Sequence, residues 1–578
     1  MTARDLDALA LERRVEALLA PFGIPGSPGC TIGILRDGAL VLHRSAGLAN
    51  IEHGVPINAT TTFRIASVTK QFTCAATLLL AEDGVLSPED DVAALIPELP
   101  DLGARITLDH LMRNTSGIRD MLELLRFGGL DLAMPCSEAG LLAAICRQRS
   151  LNFAPGSRFL YSNAAFFLLG LAVERAAGMP LGAFLEKRIF APLGMTRTRL
   201  TPRTTEVVPG LATGYLPAAG GYARAAHGFA LGGEGGLVSC VEDLALWARN
   251  YETGRVGGPA LVAALQHRMP FTNGALNLYA RGLEAAEHRG VVTIGHGGLW
   301  PGYRTAFLRA PAERIAVIVI TNHGGADPGA IALQALDAAL AGTPRLAPEP
   351  PLPPRHALEA MTGRWIAEDD TASFDLTLRP DGVPEVRSHG VPFALAPLAD
   401  GALTARRGVF CFTLRQVADG LEVEEDAGVR RLYRRAPDAV ALPGDLPGRY
   451  ACAELDTEWE IDAAHQVIVR GPHAVAGPWR LEAIAPERFR LHIPGALADT
   501  WAELRRRPDG SIEANGARAR GLVFAPRLNR DVSAPGRPAC ASPRRRPAPP
   551  SCPRSSRVRL SASARSGSPR AAACTRTA

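Results

Sequence analysis

Lysine is almost missing from this chain. Of its 63 basic side chains only Lys70 and Lys187 are lysines, so arginine meets nearly every need for positive charge. A lysine that survives such a bias is expected where an amine must lose its proton, which arginine cannot do. Lys187, in LEKRIFAPLGM, reads as a helix-end residue. Aromatic residues are also scarce, at 6% of 578. No apolar run approaches the ~20 residues of a membrane span, and the apolar segment 315–320 reads as a buried strand. The first residues lack the basic start and unbroken apolar stretch of a secretory signal. Asp5, Asp7, Glu12 and Glu16 are at odds with a transit peptide. The expectation is a cytoplasmic protein with no membrane partner.

Paired cysteines are absent too. Ten cysteines are scattered with no C-x-x-C, and three of them (Cys540, Cys552, Cys574) fall in the tail, so neither a zinc knuckle nor a disulfide framework is indicated. No metal or cofactor is expected. The net charge of +5 is an effect of the tail: residues 531–578 hold ten Arg and one Asp, which leaves the body at −4. A mildly acidic body gives no reason to expect nucleic acid.

What is present divides the chain. Residues 30–46 read as a hairpin turning at Arg36-Asp37-Gly38. An amphipathic helix follows from Ser67, with Val68, Phe72, Ala75, Ala76 and Leu79 on one face. Helical and loop material continues to about residue 250, then strands at 291–298, 303–310 and 314–322 and a helix at 329–341. This predicts an α+β domain over 1–342: an antiparallel sheet begun by the hairpin, completed by late strands and flanked by helices. A proline-rich linker (343–356) leads to two segments that open alike, with TGRW at 362–365 and PGRY at 447–450. Both read as small antiparallel β-barrels, 357–436 and 448–528, joined by a linker at 437–447. From 529 the Arg/Ala/Ser/Pro-rich tail is expected to be disordered. A basic arm and an out-of-frame extension are the alternatives there.

Three motifs carry chemistry. Ser67-Val68-Thr69-Lys70 puts a hydroxyl and an amine on one face of a helix start, where a deprotonated lysine can activate the serine. The Ser67 N–H is free there to donate to an oxyanion. Tyr161-Ser162-Asn163 is the only Y-x-N among eight tyrosines and offers a phenol for proton relay and an amide to orient Lys70. Gly295-His296-Gly297-Gly298 lies on a predicted strand, where glycines allow a substrate backbone to come close. His323-Gly324-Gly325 repeats the letters in a turn and reads as structural.

In this order and spacing the three motifs resemble those of the penicillin-recognising serine hydrolases, the class C beta-lactamase-like family: S-x-x-K, then Y-x-N, then K/H-x-G. LMRNTSGI (111–118), RIFAPLGM (188–195) and GGLVSCVEDLALWARN (235–250) are similar too. Within the family, SVTKQFTCA (67–75), His296 in place of lysine, and two trailing barrels resemble the D-stereospecific aminopeptidase branch. That resemblance implies an acyl-enzyme on Ser67, with Lys70 and an ionised Tyr161 as the proton-transfer pair and Asn163 and His296 assisting. Gly297, Gly298 and Leu299 would meet the substrate, and the N–H groups of Ser67 and Leu299 would form the oxyanion hole. It further implies a small-molecule or short-peptide substrate with a D-residue, and a possible homodimer. In that branch a last-barrel loop presents an acid to the substrate amine. The matching segment here, 492–504, looks shorter and offers Asp499. Esterase, beta-lactamase-like or D,D-carboxypeptidase activity on the same site is the alternative, and a catalytically silent binding protein the alternative of another class.

Overall fold

The computed structural model describes residues 3–527, except 342, 344, 370–371, 408–409 and 496–498; the tail lies outside the described residues. The expected hairpin forms from Cys30–Arg36 and Ala39–Ala46. Asp37 (φ 51°) and Gly38 (φ 72°) at its turn are both left-handed, as a two-residue type I′ turn requires. Six antiparallel strands run in the order Glu284–His288, Val291–Trp300, Tyr303–Ala310, Ile315–Thr321, Cys30–Arg36, Ala39–Ala46. The hairpin and the late strands thus close one sheet around a helical insertion.

Ile315–Thr321 is buried along its whole length. Ala316, Ile318 and Ile320 join the core beneath the helical region, while Ile315, Val317 and Val319 join a second core with residues of the helices Ala3–Leu19 and Pro328–Ala339. Alternate side chains of a strand point to opposite faces, and a sheet covered on both faces needs an unbroken apolar strand. The edge strand Glu284–His288 was not legible, because EAAEH carries no β-branched or aromatic residue.

The helix expected from Ser67 begins as a 3₁₀ turn, Ala66–Thr69, and continues as Lys70–Glu82. Lys70 through Leu80 are all buried, so this helix is enclosed on every side rather than lying on the surface with one apolar face. Gln71 ties it down: its side-chain oxygen accepts from Trp247 Nε1 (2.7 Å) and Tyr251 Oη (3.0 Å) on the helix Val241–Thr253. No single helix among the described residues is long and apolar enough to cross a membrane.

Two antiparallel β-domains follow. A short helix, Arg355–Met361, takes up the end of the stretch read as linker. Nine strands from Gly363–Ala367 onward then form one curled sheet with no pairing between its end strands among the described residues. The last domain is a closed eight-stranded barrel from Gly448–Cys452 to Leu522–Pro526. The similar openings occupy equivalent places. Arg364 faces Asp375 across its hairpin and Arg449 faces Glu460, with Trp365 and Tyr450 turned into the two cores.

The barrel docks on the helix Met121–Phe127. Leu124 and Phe127 sit in the barrel's own core, and Trp459 Nε1 donates to the Phe127 carbonyl at 3.2 Å. Gly471 lies so close to the Gly128 carbonyl that an added Cβ would come within 1.9 Å of it.

Candidate active site

Ala66, the residue before the serine, has φ 49°, a left-handed conformation that an alanine adopts only under constraint from its surroundings. It turns Ser67 outward at the first turn, where backbone N–H groups have no intrahelical acceptor. Ser67 remains partly exposed while Lys70 has no exposed surface. Lys70 Nζ donates to Ser67 Oγ (3.1 Å), Asn163 Oδ1 (2.9 Å) and the Glu234 carbonyl (2.6 Å). All three of its donors are therefore directed. The Ser67 hydroxyl is close enough to the Tyr161 phenol to favour its ionised form, and Lys70 Nζ stands 4.7 Å from the Tyr161 ring centre. The hydroxyl, amine and phenol separated in the sequence converge in one place.

Protonation follows from enclosure. Burial pushes the Lys70 ammonium down to about 7, against the pull of Glu234 and Asp120, so a neutral amine is accessible near neutral pH. Burial moves Tyr161 the other way, well above the usual phenol range. Burial thus favours the neutral phenol over the ionised tyrosine implied by the resemblance, while the Ser67 hydroxyl and the Arg518 charge favour the phenolate.

Asn163 is the first residue of the helix Asn163–Ala177. Asp120 Oδ2 accepts from its backbone N–H (2.7 Å) and its side-chain N–H (2.8 Å), which turns its oxygen toward Lys70. Asp120 also caps the helix Met121–Phe127 through Leu122 N–H and Glu123 N–H. Glu234 is a second residue the sequence did not single out. Its carboxylate is occupied by Gly232 N–H (2.9 and 3.1 Å) while its carbonyl holds Lys70.

His296 is 5% exposed, and burial together with the Lys70 charge depresses its pKa to about 3. It is neutral, so it supplies no positive charge. Its Nδ1 lies 2.6 Å from the Gly297 carbonyl and therefore carries the proton; Nε2 then accepts from Tyr279 Oη at 2.9 Å. The pairing of Glu284–His288 with Val291–Trp300 ends at Gly295, so from His296 to Leu299 one edge of the strand has no strand partner among the described residues, beside the turn Ala66–Thr69. Gly298 is required there, because a Cβ would come within 2.3 Å of the Ile65 carbonyl. Leu299 is 53% exposed. His323 is occupied in a turn, its Nδ1 accepting from Gly325 N–H at 3.1 Å.

Asp499 is not brought to this group. It is exposed, its carbonyl lies against Gly390 and its charge acts on Arg126. Glu503 is buried between the two β-domains with Ser373, Trp501 and Arg490. Among the described residues, the barrel segment that reaches the site is 516–521, between the strands Ile512–Asn515 and Leu522–Pro526. It places the Arg518 guanidinium 4.9 Å over the Tyr161 ring. No motif spacing in the sequence marks Arg518; only the barrel's docking does.

The Beta-lactamase family profile matches residues 11–341, which holds all three motifs. The chain belongs to the beta-lactamase family. Like that family's hydrolytic members it is a serine hydrolase. Among its relatives are the D-aminopeptidase of Gluconobacter oxydans, 30% identical over 87% of this chain and 95% of the relative, and that of Cereibacter sphaeroides (strain ATCC 17023), 28% identical over 87% and 92%. The same fold occurs in the octameric penicillin-binding protein homologue from Pyrococcus abyssi (24% identity, TM-score 0.53, 73% of this chain and 99% of that one). It occurs also in D-amino acid amidase from Ochrobactrum anthropi SV3 (24% identity, TM-score 0.50, 57% and 98%).

Proposed function

We propose that this beta-lactamase-family protein hydrolyses small D-aminoacyl amides, esters or short peptides through an acyl-enzyme on Ser67. The observation that carries the chemistry is the buried Lys70 amine donating to Ser67 Oγ at 3.1 Å. In the proposed cycle neutral Lys70 takes the Ser67 proton as the oxygen attacks the carbonyl. The N–H groups of Ser67 and Leu299 receive the oxyanion. As the carbon–nitrogen bond breaks, Tyr161 gives its phenolic proton to the leaving amine and regains one from the Lys70 ammonium. Water then attacks the ester while Lys70 takes its proton, and as the ester C–O bond breaks Lys70 returns that proton to Ser67 Oγ, which releases the acid and restores both groups. Asn163 and His296 are positioning residues, and Gly297, Gly298 and Leu299 offer backbone to the substrate.

The D-amino acid preference is supported by the relatives, which are named D-aminopeptidases and align over most of both chains. No part of it rests on Asp499. Steady-state turnover of D- and L-alanine p-nitroanilide tests it, with trapped acyl-enzyme located by peptide mass spectrometry. The expected result is strong preference for the D-isomer and an adduct on Ser67. Equal rates would remove the stereospecific claim, and an adduct elsewhere would remove the nucleophile.

A further inference from the structure

We propose that Arg518, delivered by the last barrel, is the residue that recognises a carboxylate on the substrate. This deepens the acyl-transfer reading above and rests on it. The backbone of Arg518 is pinned from both sides while its side chain is uncommitted. Glu123 accepts the N–H groups of Ala517 (2.9 Å) and Arg518. The Arg518 carbonyl accepts from Asp120 N–H (3.2 Å) and Asn152 Nδ2 (3.1 Å). Arg520 on the same loop donates its N–H to Asn152 Oδ1 (2.8 Å) and its carbonyl accepts from Arg119 Nε (2.8 Å). Gly516 makes the approach possible, since a Cβ there would lie 2.4 Å from the Glu123 carboxylate.

The guanidinium itself forms no hydrogen bond or ion pair among the described residues. It rests on the Tyr161 ring at 4.9 Å, a contact to the π-face that leaves its N–H fork open. Glu123 feels its charge, but the oxygens of Asp120, Glu123 and Glu234 are already taken by N–H donors. A partly buried guanidinium with no hydrogen-bonded partner, on a pinned backbone, can take an anion arriving with the substrate, and the planar fork fits a carboxylate bidentately. Tyr161 is the donor to the leaving group, so a carboxylate over it belongs to a leaving group with a free C-terminus or to an acidic D-side chain.

Isosteric substrate pairs separate these sources: D-alanylglycine against D-alanylglycinamide for the leaving group, and D-glutamic acid α-amide against D-glutamine amide for the side chain. The readout is the ratio of kcat/KM within each pair, for wild type, Arg518→Gln, Arg518→Lys and Arg518→Glu. In wild type the carboxylate member should be preferred in one pair by at least about tenfold. Arg518→Gln should abolish that ratio through KM, Arg518→Lys should keep part of it, and Arg518→Glu should invert it. A ratio equal in wild type and Arg518→Gln for both pairs would overturn the inference while leaving acyl transfer standing. A wild type that turns over none of the four and forms no adduct with an activated ester would overturn both. Melting temperatures within about 2 °C of wild type would show that each variant folds.

Discussion

At the scale of single residues, the account turns on Lys70. A lysine whose ammonium is held near 7 by burial must be deprotonated before it can accept the serine proton. The rate of Ser67 acylation should therefore rise with pH through about 7 and level off above it. Tyr161 stays protonated throughout that range, since burial raises it, so no second limb from its ionisation should appear below pH 9. Single-turnover kinetics with an activated ester measure this; a profile flat from pH 6 to 9 would contradict the lowered amine. The lysine count made this residue legible, because a chain that uses arginine everywhere else keeps an amine here. The protonation states were not legible. They depend on enclosure by Glu234, Asp120 and Phe166, which come from distant parts of the chain.

At the scale of elements, the S-x-x-K, Y-x-N and His-Gly-Gly motifs each fall at an element's edge, where the sequence placed them. The first opens a helix, the second caps one, and the third runs along a strand. Gly298 shows why the edge matters. Its hydrogen lies where a methyl group would meet the Ile65 carbonyl at 2.3 Å, two residues before Ser67. Gly298→Ala should push the nucleophile turn aside and lower kcat/KM by about 10²-fold, the scale of loss for a misplacement near 1 Å. An alanine variant with wild-type kcat/KM would show that the strand does not set the nucleophile's position. The strand Glu284–His288 escaped the sequence reading because pairing, rather than its own residues, makes it a strand. That short partner is what leaves His296–Leu299 open.

At the scale of the whole molecule, the short helix Met121–Phe127 joins the barrel to Asn163 and Lys70. Its cap Asp120 fixes Asn163 and thereby Lys70, Glu123 grips the loop 516–521, and Leu124 and Phe127 fill the barrel core. The repeated openings at 362–365 and 447–450 made two β-domains legible. The described loop that reaches the site was not: the resemblance implies 492–504 with Asp499, whereas docking delivers a cation, Arg518, on the loop 516–521. Register and docking angle settle that, and neither leaves a motif. The central claim is that Ser67 is activated by an amine able to lose its proton, and exchange of Lys70 for arginine tests it directly. Intact-protein mass spectrometry after incubation with an activated D-alanyl ester should show acylated wild type. In Lys70→Arg, folded but with a permanent cation, acylation should be at least about 10³-fold slower. An arginine variant acylating at the wild-type rate would contradict the account.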